Sequence, residues 1–593
     1  QRTLALPIGR SAINFKTKTI KNREMIKKEP LDYSLVYPTS KIPFQLQEAN
    51  FAADYFQWPK FHNGVATAFQ MIAENKDIES SWIIAHKLKD ELNAHHAGFL
   101  FGLGLLGYLN LSTVDIYQYM ASNVEIVNIG LLIGLSFSKR KTMDNKITKL
   151  CSIHIPSFTT IENQTNLASN FVAMSAIVGI GFLFQESGQR RMVEMLLYEI
   201  KRNINYDKMM FSTSSTAEIN NDVFRGYAEC YALSAGFSLG LTLLGLGRNV
   251  VGLDDLNIIE ELDKCINGGK VSFAKNQNGT LCYKGNGFIH TDITSPAAMM
   301  ALSFMFMKTN DALVSQILSI PTTAYDLTII RPDFLLLRVC HHYLVLWDSI
   351  KLCPKWLKSQ IPNILGKIEE EEELTLENPL TCPFVAILTG LIFISSIKYA
   401  GYLNNEWKMF CLETIDKLTR ITSTIAVSLS EKVSKIFIKS CINQILLSAS
   451  LVMAGSGDLD LIRRCRVLHG RIQQDFTYGN HMCVHLALGF LCLSNGTKTL
   501  SVSSRESIAH LFISCYPVYP KYPNDNQYHF QILRHLWATV TQDRCLVTKS
   551  SGKVVAVEAK INLKNNSSFY KITPFLLPPL DSIRSIELSS PMY

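Results

Sequence analysis
The segment Ala97-Gly98-Phe99-Leu100-Phe101-Gly102-Leu103-Gly104-Leu105-Leu106-Gly107 constrains the chain more than any other. Gly98 and Gly102 are four residues apart, so on a helix they share one face. A neighbouring helix can approach that face almost to backbone contact. Nearly every other residue in the segment is apolar, which predicts a helix buried on all sides.

The pattern recurs. Pairs of small residues four apart stand at Gly98/Gly102, Gly130/Gly134, Ser175/Gly179, Gly236/Gly240, Ala297/Ala301, Ala386/Gly390, Ser450/Ala454 and His485/Gly489. His485 is not small, so the last pair is the weakest. The positions predicted to pack helix on helix are Gly98, Gly102, Gly130, Gly134, Gly179, Gly236, Gly240, Ala301, Gly390, Ala454 and Gly489. A turn and a more polar helix follow each small-residue helix. Examples are Val114–Met120 behind Ser112-x-x-Asp115, Gln189–Ile200, a helix after Asp254 or Asp255, and one after Ser503-x-x-Glu506. Such a two-helix unit cannot bury its own apolar face and needs neighbours, which makes the whole a solenoid. Close packing of the inner helices with spreading of the outer ones forces curvature. The expected fold is therefore all-α, an α-solenoid closed into a toroid of two concentric helix layers, with small β or irregular flanks.

The organisation read from the chain has three parts. Residues 1–60, with Pro7, Pro30, Pro38 and Pro43, strand-like Leu4-Ala5-Leu6 and a basic stretch from Lys16 to Lys28, are expected to be a lead-in from a preceding segment. Residues 61–542 form the repeat domain. Residues 543–593 form a β-rich flank, signalled by apolar runs on either side of Ser550-Ser551-Gly552. Two insertions interrupt the repeats: a loop or hairpin at Lys270–His290, and 365–379, whose Glu369–Glu373 run reads as solvated. The chain opens on Gln1 and stops without a closing element, so it is expected to be part of a longer polypeptide.

Composition narrows the function classes. A chain of 593 residues exceeds what one compact core supports, which implies several domains or a repeat array. No Lys/Arg-rich block interleaved with aromatics signals nucleic acid. The apolar runs Ala97–Leu109 and Val172–Phe184 fall short of the ~20 residues a membrane span needs, so no membrane partner is expected. The 14 cysteines are scattered without a CxxC pair, which reads as buried thiols in a reducing compartment.

Chemistry is sparse. The adjacent pairs His95-His96 and His341-His342 point in different directions on a helix, and Cys483-Val484-His485 is no stronger as a ligand set. Gly-x-Gly occurs at Gly102, Gly179, Gly245, Gly285 and Gly455, yet none completes a nucleotide-binding fingerprint. Inner-helix packing and helix ends explain them better. No metal, cofactor or catalytic residue is expected. Helical rings also occur among glycosidases and cyclases, whose acids sit at helix ends. The candidates here are Asp254, Asp255 and Asp292, for which helix capping is the plainer use.

Several segments also carry a resemblance. They are Phe61-His62-Asn63-Gly64-Val65-Ala66, Ala97–Gly107, Thr142-Met143-Asp144 leading to Ile153-His154-Ile155-Pro156, and Gly179-Ile180-Gly181 through Arg190-Arg191-Met192-Val193-Glu194. Further on stand Tyr231–Gly236, Gly252–Asn257, Thr291–Pro296, Pro332–Arg338, Met453–Gly457, Asp525–His529 and Leu533-Arg534-His535-Leu536. The small-residue units resemble proteasome/cyclosome repeats. In order and spacing the chain resembles the family of subunit 1 of the anaphase-promoting complex (cyclosome). That resemblance implies a toroidal, non-catalytic scaffold in a cell-cycle ubiquitin ligase of nucleus and cytoplasm. The implied partners are a jelly-roll substrate-receptor subunit, helical-repeat scaffold subunits, the cullin-like/RING module and a WD40 coactivator. The alternatives are a helical-ring hydrolase or cyclase and a scaffold subunit of the proteasome regulatory particle.

Overall fold
A computed structural model describes residues 1–593 except 21–23, 28, 32–33, 37–38, 53, 74–77, 87–91, 111–115, 123, 159–169, 203–216, 269–272, 276–280, 284–289, 370–372, 472–475 and 590–593. Among the described residues, eleven helices form an inner layer: α1 (Leu6–Ile13), α2 (Gln57–Phe69), α3 (Ala94–Leu105), α4 (Glu125–Ser138), α5 (Asn170–Leu183), α6 (Ala217–Thr242), α7 (Thr291–Met305), α8 (Pro332–Val345), α9 (Thr381–Lys398), α10 (Leu429–Val452) and α11 (Tyr478–Leu491). Each packs on the next, and α1 packs on both α2 and α11, so the layer closes on itself as a ring. More polar helices lie outside. Asn145–Ser152, Ile258–Asn267, Asn405–Ser423 and Leu459–His469 each pack against the inner helix that follows.

The glycines set how closely the inner helices cross. A Cβ added to Gly98 would land on the Phe61 carbonyl oxygen of α2, and one on Gly64 would land on that of His95 in α3. A Cβ on Gly102 would lie 2.6 Å from the Ala68 methyl. Gly130 faces the Ala97 backbone, and Gly134 sits 3.2 Å from the Leu100 carbonyl oxygen in the same sense. Gly179 meets Ser136 Oγ at 2.6 Å, Gly236 faces Ala297, Gly240 meets Phe304 Cβ at 2.9 Å, and Gly390 meets the Leu336 carbonyl oxygen at 2.9 Å. At the closing seam a Cβ on Gly489 would lie 2.9 Å from Ala12 Cβ, and one on Gly9 would lie 2.5 Å from the His485 carbonyl oxygen. Ala301 is buried in α7. Ala454, though buried, lies beyond the end of α10, where its carbonyl accepts from Thr499 Oγ1.

A second regularity joins the units. The turn after an inner helix presents two residues, one apart, in the left-handed conformation. Their N–H groups donate to the last-turn carbonyls of the next inner helix. Gly245 and Gly247 donate to Phe304 and Met305, and Gly455 and Gly457 to Phe490 and Leu491. Non-glycine residues do the same: Lys141 and Met143 to Phe182 and Leu183, and Lys308 and Asn310 to Leu344 and Val345. These bonds satisfy carbonyls that every helix end leaves without a partner. Gly-x-Gly thus has two uses here: Gly245 and Gly455 lie in these turns, while Gly102 and Gly179 lie inside helices. Gly285 and Gly287 lie outside the described residues.

Several expectations change. The opening residues expected as a lead-in contain α1, a ring helix, and Leu4-Ala5-Leu6 begins it rather than forming a strand. Three inner helices, α1, α2 and α8, lie outside the eight small-residue pairs. The expected outer helix after Ser503 is not outer: Arg505–Ser514 is buried, and its capping box joins Ser504 and Ser507. The acids at 254–255 do not cap Ile258–Asn267. Gln189 does cap its helix, accepting from the Met192 N–H at 2.9 Å. The expected Ser112-x-x-Asp115 cap lies outside the described residues. Two helices, Thr381–Lys398 and Leu429–Val452, are long and apolar enough to cross a membrane by length and composition, which the run lengths alone did not suggest. Their apolar windows are 89% and 72% buried between ring neighbours, which accounts for the composition.

The flanks are β. Lys549–Ser550 pairs with Lys553–Val554 around Ser551 and Gly552, both at positive φ, as a two-residue hairpin requires. Glu558–Leu563 pairs with Ser568–Ile572 and Ile583–Leu588. In the first insertion, Phe273–Lys275 pairs with Leu281–Tyr283 as a hairpin. At the second insertion a 3₁₀ segment, Asn363–Glu369, is anchored by buried Leu365 and Ile368, and residues 370–372 of the glutamate run lie outside the described residues.

Candidate functional site: the filled axis of the ring
A two-layer helical ring has a natural place for a site, its axis. Here the chain's own residues occupy it. Helix α12 (Arg505–Ser514) is followed by a 3₁₀ segment, Gln531–Val540, and the two pack together. The Phe512 ring lies 6.3 Å from Phe304, 5.2 Å from His341 and 5.8 Å from Phe393. His510 lies 5.7 Å from Phe137 and 5.9 Å from Phe182. Trp537 meets Phe15, Phe69 and Phe490, and His535 meets His62 and Phe101. Four side chains thus reach α2, α3, α4, α5, α7, α8, α9, α11 and Phe15, two residues beyond α1. Only a position on the axis touches so many.

Several polar groups of this plug serve structure. Arg534 is fully buried. Its guanidinium donates to the carbonyls of Ser514 (3.2 Å), Tyr516 (2.6 Å) and Val518, and lies 4.3 Å from the centre of the Tyr519 ring. It thereby neutralises the carbonyl end of α12, where the helix dipole favours a cation. Burial lowers its pKa from the usual arginine value. Gln531 Oε1 accepts from His62 Nε2 at 3.0 Å, which leaves His62 Nδ1 to accept from His535 Nε2 at 2.8 Å. Burial pushes His62 down to about 4 and His535 well below its ordinary value, so both rings are neutral. The lone arginine in the apolar run Ile532–Val540 is the one sequence signal that marks this segment.

The other candidates disperse. Asp255 is held by Arg190 through two hydrogen bonds of 2.8 and 2.5 Å, Asp254 is exposed, and Asp292 lies in the first turn of α7. His96 meets the Tyr119 hydroxyl at 2.8 Å, His341 meets Ser303 Oγ at 2.7 Å, and His342 meets the Ser315 carbonyl at 3.0 Å. His95 meets Thr67 Oγ1 at 3.3 Å. Cys483 donates to the Asn443 carbonyl and His485 to that of Arg2. The convergent carboxylates that a ring hydrolase requires are not found among the described axial residues. The surfaces left for function are the rims, the loops and the outer helices.

Comparisons with known proteins match the chain in two parts. A family model described as the APC1 fifth domain matches residues 145–542, and one described as the APC1 fourth domain matches 1–140. The chain belongs to the anaphase-promoting complex subunit 1 family. It is 34% identical over its whole length to anaphase-promoting complex subunit 1 of Schizosaccharomyces pombe, covering 38% of that protein. It is 33% identical to the Homo sapiens protein of the same name, covering 31% of it. It is also 33% identical to the Emericella nidulans protein named negative regulator of mitosis, covering 28% of it. The chain therefore spans about a third of the length of the curated relatives it matches.

Proposed function
We propose that the chain is a non-catalytic scaffold region of the anaphase-promoting complex, a cell-cycle ubiquitin ligase. The observation that supports this most strongly is similarity along the whole of this chain to a part of subunit 1 proteins, combined with a ring whose axis is packed shut. A closed ring with a filled axis is stiff and offers its rims and outer helices to neighbours. Its contribution is then positional: holding a substrate receptor and a catalytic module in one frame raises their effective concentration. The jelly-roll substrate receptor, the helical-repeat scaffolds, the cullin-like/RING module and the WD40 coactivator are the proposed neighbours, with nucleus and cytoplasm as the site of action. Affinity purification from dividing cells followed by mass spectrometry tests this. Co-purifying cyclosome subunits are the expected result. Recovery of proteasomal ATPases in their place selects the proteasome scaffold, and recovery of neither refutes the proposal.

A further inference from the structure
Helix α10 is longer than its neighbours in the ring. It runs for 24 residues, against 18 for α9 and 14 for α11. Its later part, from Ile438, is buried in the ring, while its first turns stand clear of it. The projecting end is well made. Ser428 Oγ accepts from the Glu431 N–H at 3.1 Å, and the Glu431 carboxylate accepts from the Val427 N–H at 2.9 Å. A helix end capped on both counts holds its shape without a partner.

Its surface is unusual for an exposed end. Ile425, Val427 and Leu429 are 88%, 83% and 78% exposed, and Val433 and Ile436 are more than half exposed. Leu429, Val433, Ile436 and Ser440 recur at helical spacing, so they form one strip. The strip runs into a groove of about 620 Å³ between α10, the start of α8 and the axial plug, walled by Phe334, Leu337, Val433, Ile436, Phe437 and Tyr519. At 100° per residue, Lys432, Lys435 and Lys439 all fall on one flank of the strip, where Lys435 also donates to the Thr424 carbonyl at 2.8 Å, and the opposite flank carries Ser430 and Ser434. The groove's carboxylates are already engaged: Arg331 holds Asp333 at 2.6 Å and lies 3.9 Å from buried Glu229. Glu431 is spent on the cap.

We propose that this strip and groove dock an acidic amphipathic helix of another protein. Its aliphatic face would lie on Leu429, Val433 and Ile436, and its carboxylates would face the lysine flank. The commitment to an acidic occupant rests on that one-sided cationic flank, and the commitment to a helix rests on the length and straightness of the strip. The proposal does not depend on membership of the ligase.

The test is fluorescence anisotropy with the full chain and a labelled synthetic 16-residue helix carrying Leu at one face and Glu elsewhere, at low and high salt. The expected result is binding that weakens with salt, falls at least tenfold for Ile436→Asp and for Leu429→Asp, and falls several-fold for the double variant Lys432→Glu, Lys439→Glu. The same peptide with Lys in place of Glu is expected to bind at least tenfold more weakly. Equal binding of the two peptides overturns the proposal. So does unchanged binding by both aspartate variants, or capture by anionic lipid vesicles with the acidic peptide unbound. Should Ile436→Asp lower the melting temperature, Leu429→Asp, at the more exposed position, carries the test alone.

Discussion
The closest helix crossing gives the sharpest prediction. In Gly98→Ala the new methyl would occupy the Phe61 carbonyl oxygen's position, with Phe61 Cα only 3.1 Å away. Both obstacles are backbone, so no side-chain rotation relieves them. The reciprocal contact of Gly64 with the His95 backbone means that α2 and α3 cannot slide past one another to make room. They must separate, and a closed ring passes that separation to its neighbours. Overpacking a dense core costs about 1–3 kcal/mol, with a backbone clash at the upper end. Alanine's better helix propensity returns about 1 kcal/mol. The net expectation is a loss of about 2 kcal/mol. The control is Gly366→Ala, where no atom lies within 4 Å and φ is not positive. That variant is expected to be neutral, or slightly stabilising through the unfolded chain. Urea unfolding followed by helical circular dichroism, together with thermal melting, compares the three proteins. A chain this long need not unfold in one step, so the readout is the first transition. Gly98→Ala is expected to bring it forward by at least about 2 °C. If Gly98→Ala and Gly366→Ala melt together with the parent, the close crossing of α2 and α3 is refuted.

Three further outcomes follow from the axis and the turns. His62, His341 and His510 are buried neutral, with pKa values lowered by burial to about 4, 3 and 4. The unfolded chain titrates near 6.5 and binds these protons first, so their contribution is intact above pH 6.5 and is lost as pH falls from there toward 4. Each adds a slope of about 1.4 kcal/mol per pH unit in that window. Melting temperature against pH is therefore expected to fall steeply below 6.5, and His341→Asn to flatten the curve by one proton; an unchanged slope in that variant contradicts the assignment. Arg534→Met leaves the buried carbonyls of Ser514, Tyr516 and Val518 without their donor, although it also removes a buried charge. A net loss of about 1–3 kcal/mol is expected, read from tryptophan fluorescence on urea titration, with Arg534→Lys in between. Met143 holds φ 52° in an exposed turn. Met143→Gly is expected to raise stability by up to about 1 kcal/mol, since relief of left-handed strain exceeds the entropy that glycine adds to the unfolded chain. A fall in its melting temperature would count against strain at that turn.

The repeat architecture was legible because close backbone approach admits almost nothing but Gly, Ala and Ser, and those residues recur at a fixed spacing. What stayed hidden has equally physical causes. Only one partner in a crossing has to be small. Gly390 of α9 supplies the clearance over Leu336 and Val339, so α8 needs no glycine and left no mark. The α1 seam was missed for the related reason that its small residues, Gly9 and Ala12, sit in an eight-residue helix. The linking turns were half visible. At Gly245-x-Gly247 the left-handed conformation selects glycine, whereas at Lys141-x-Met143 the chain accepts the strain and keeps a lysine that pairs with Glu186 and Glu506 at 3.0 Å.

The plug was the largest surprise, and its sequence shows why. Ser507, His510 and Ser514 give α12 polar positions in the manner of a surface helix. Yet Ser507 accepts into the cap, His510 meets Thr539 Oγ1 at 2.9 Å, and Ser514 donates to the His510 carbonyl. Hydrophobic periodicity reports how much of a helix avoids water only if its polar groups have nowhere else to go. Inside this ring they do, because the axial segments supply donors and acceptors to one another and His62 of α2 adds one more. Polar residues that look outward in one dimension therefore face inward here. That inversion turns the expected outer helix after Ser503 into the element that closes the ring's centre and leaves only the outside open to contact.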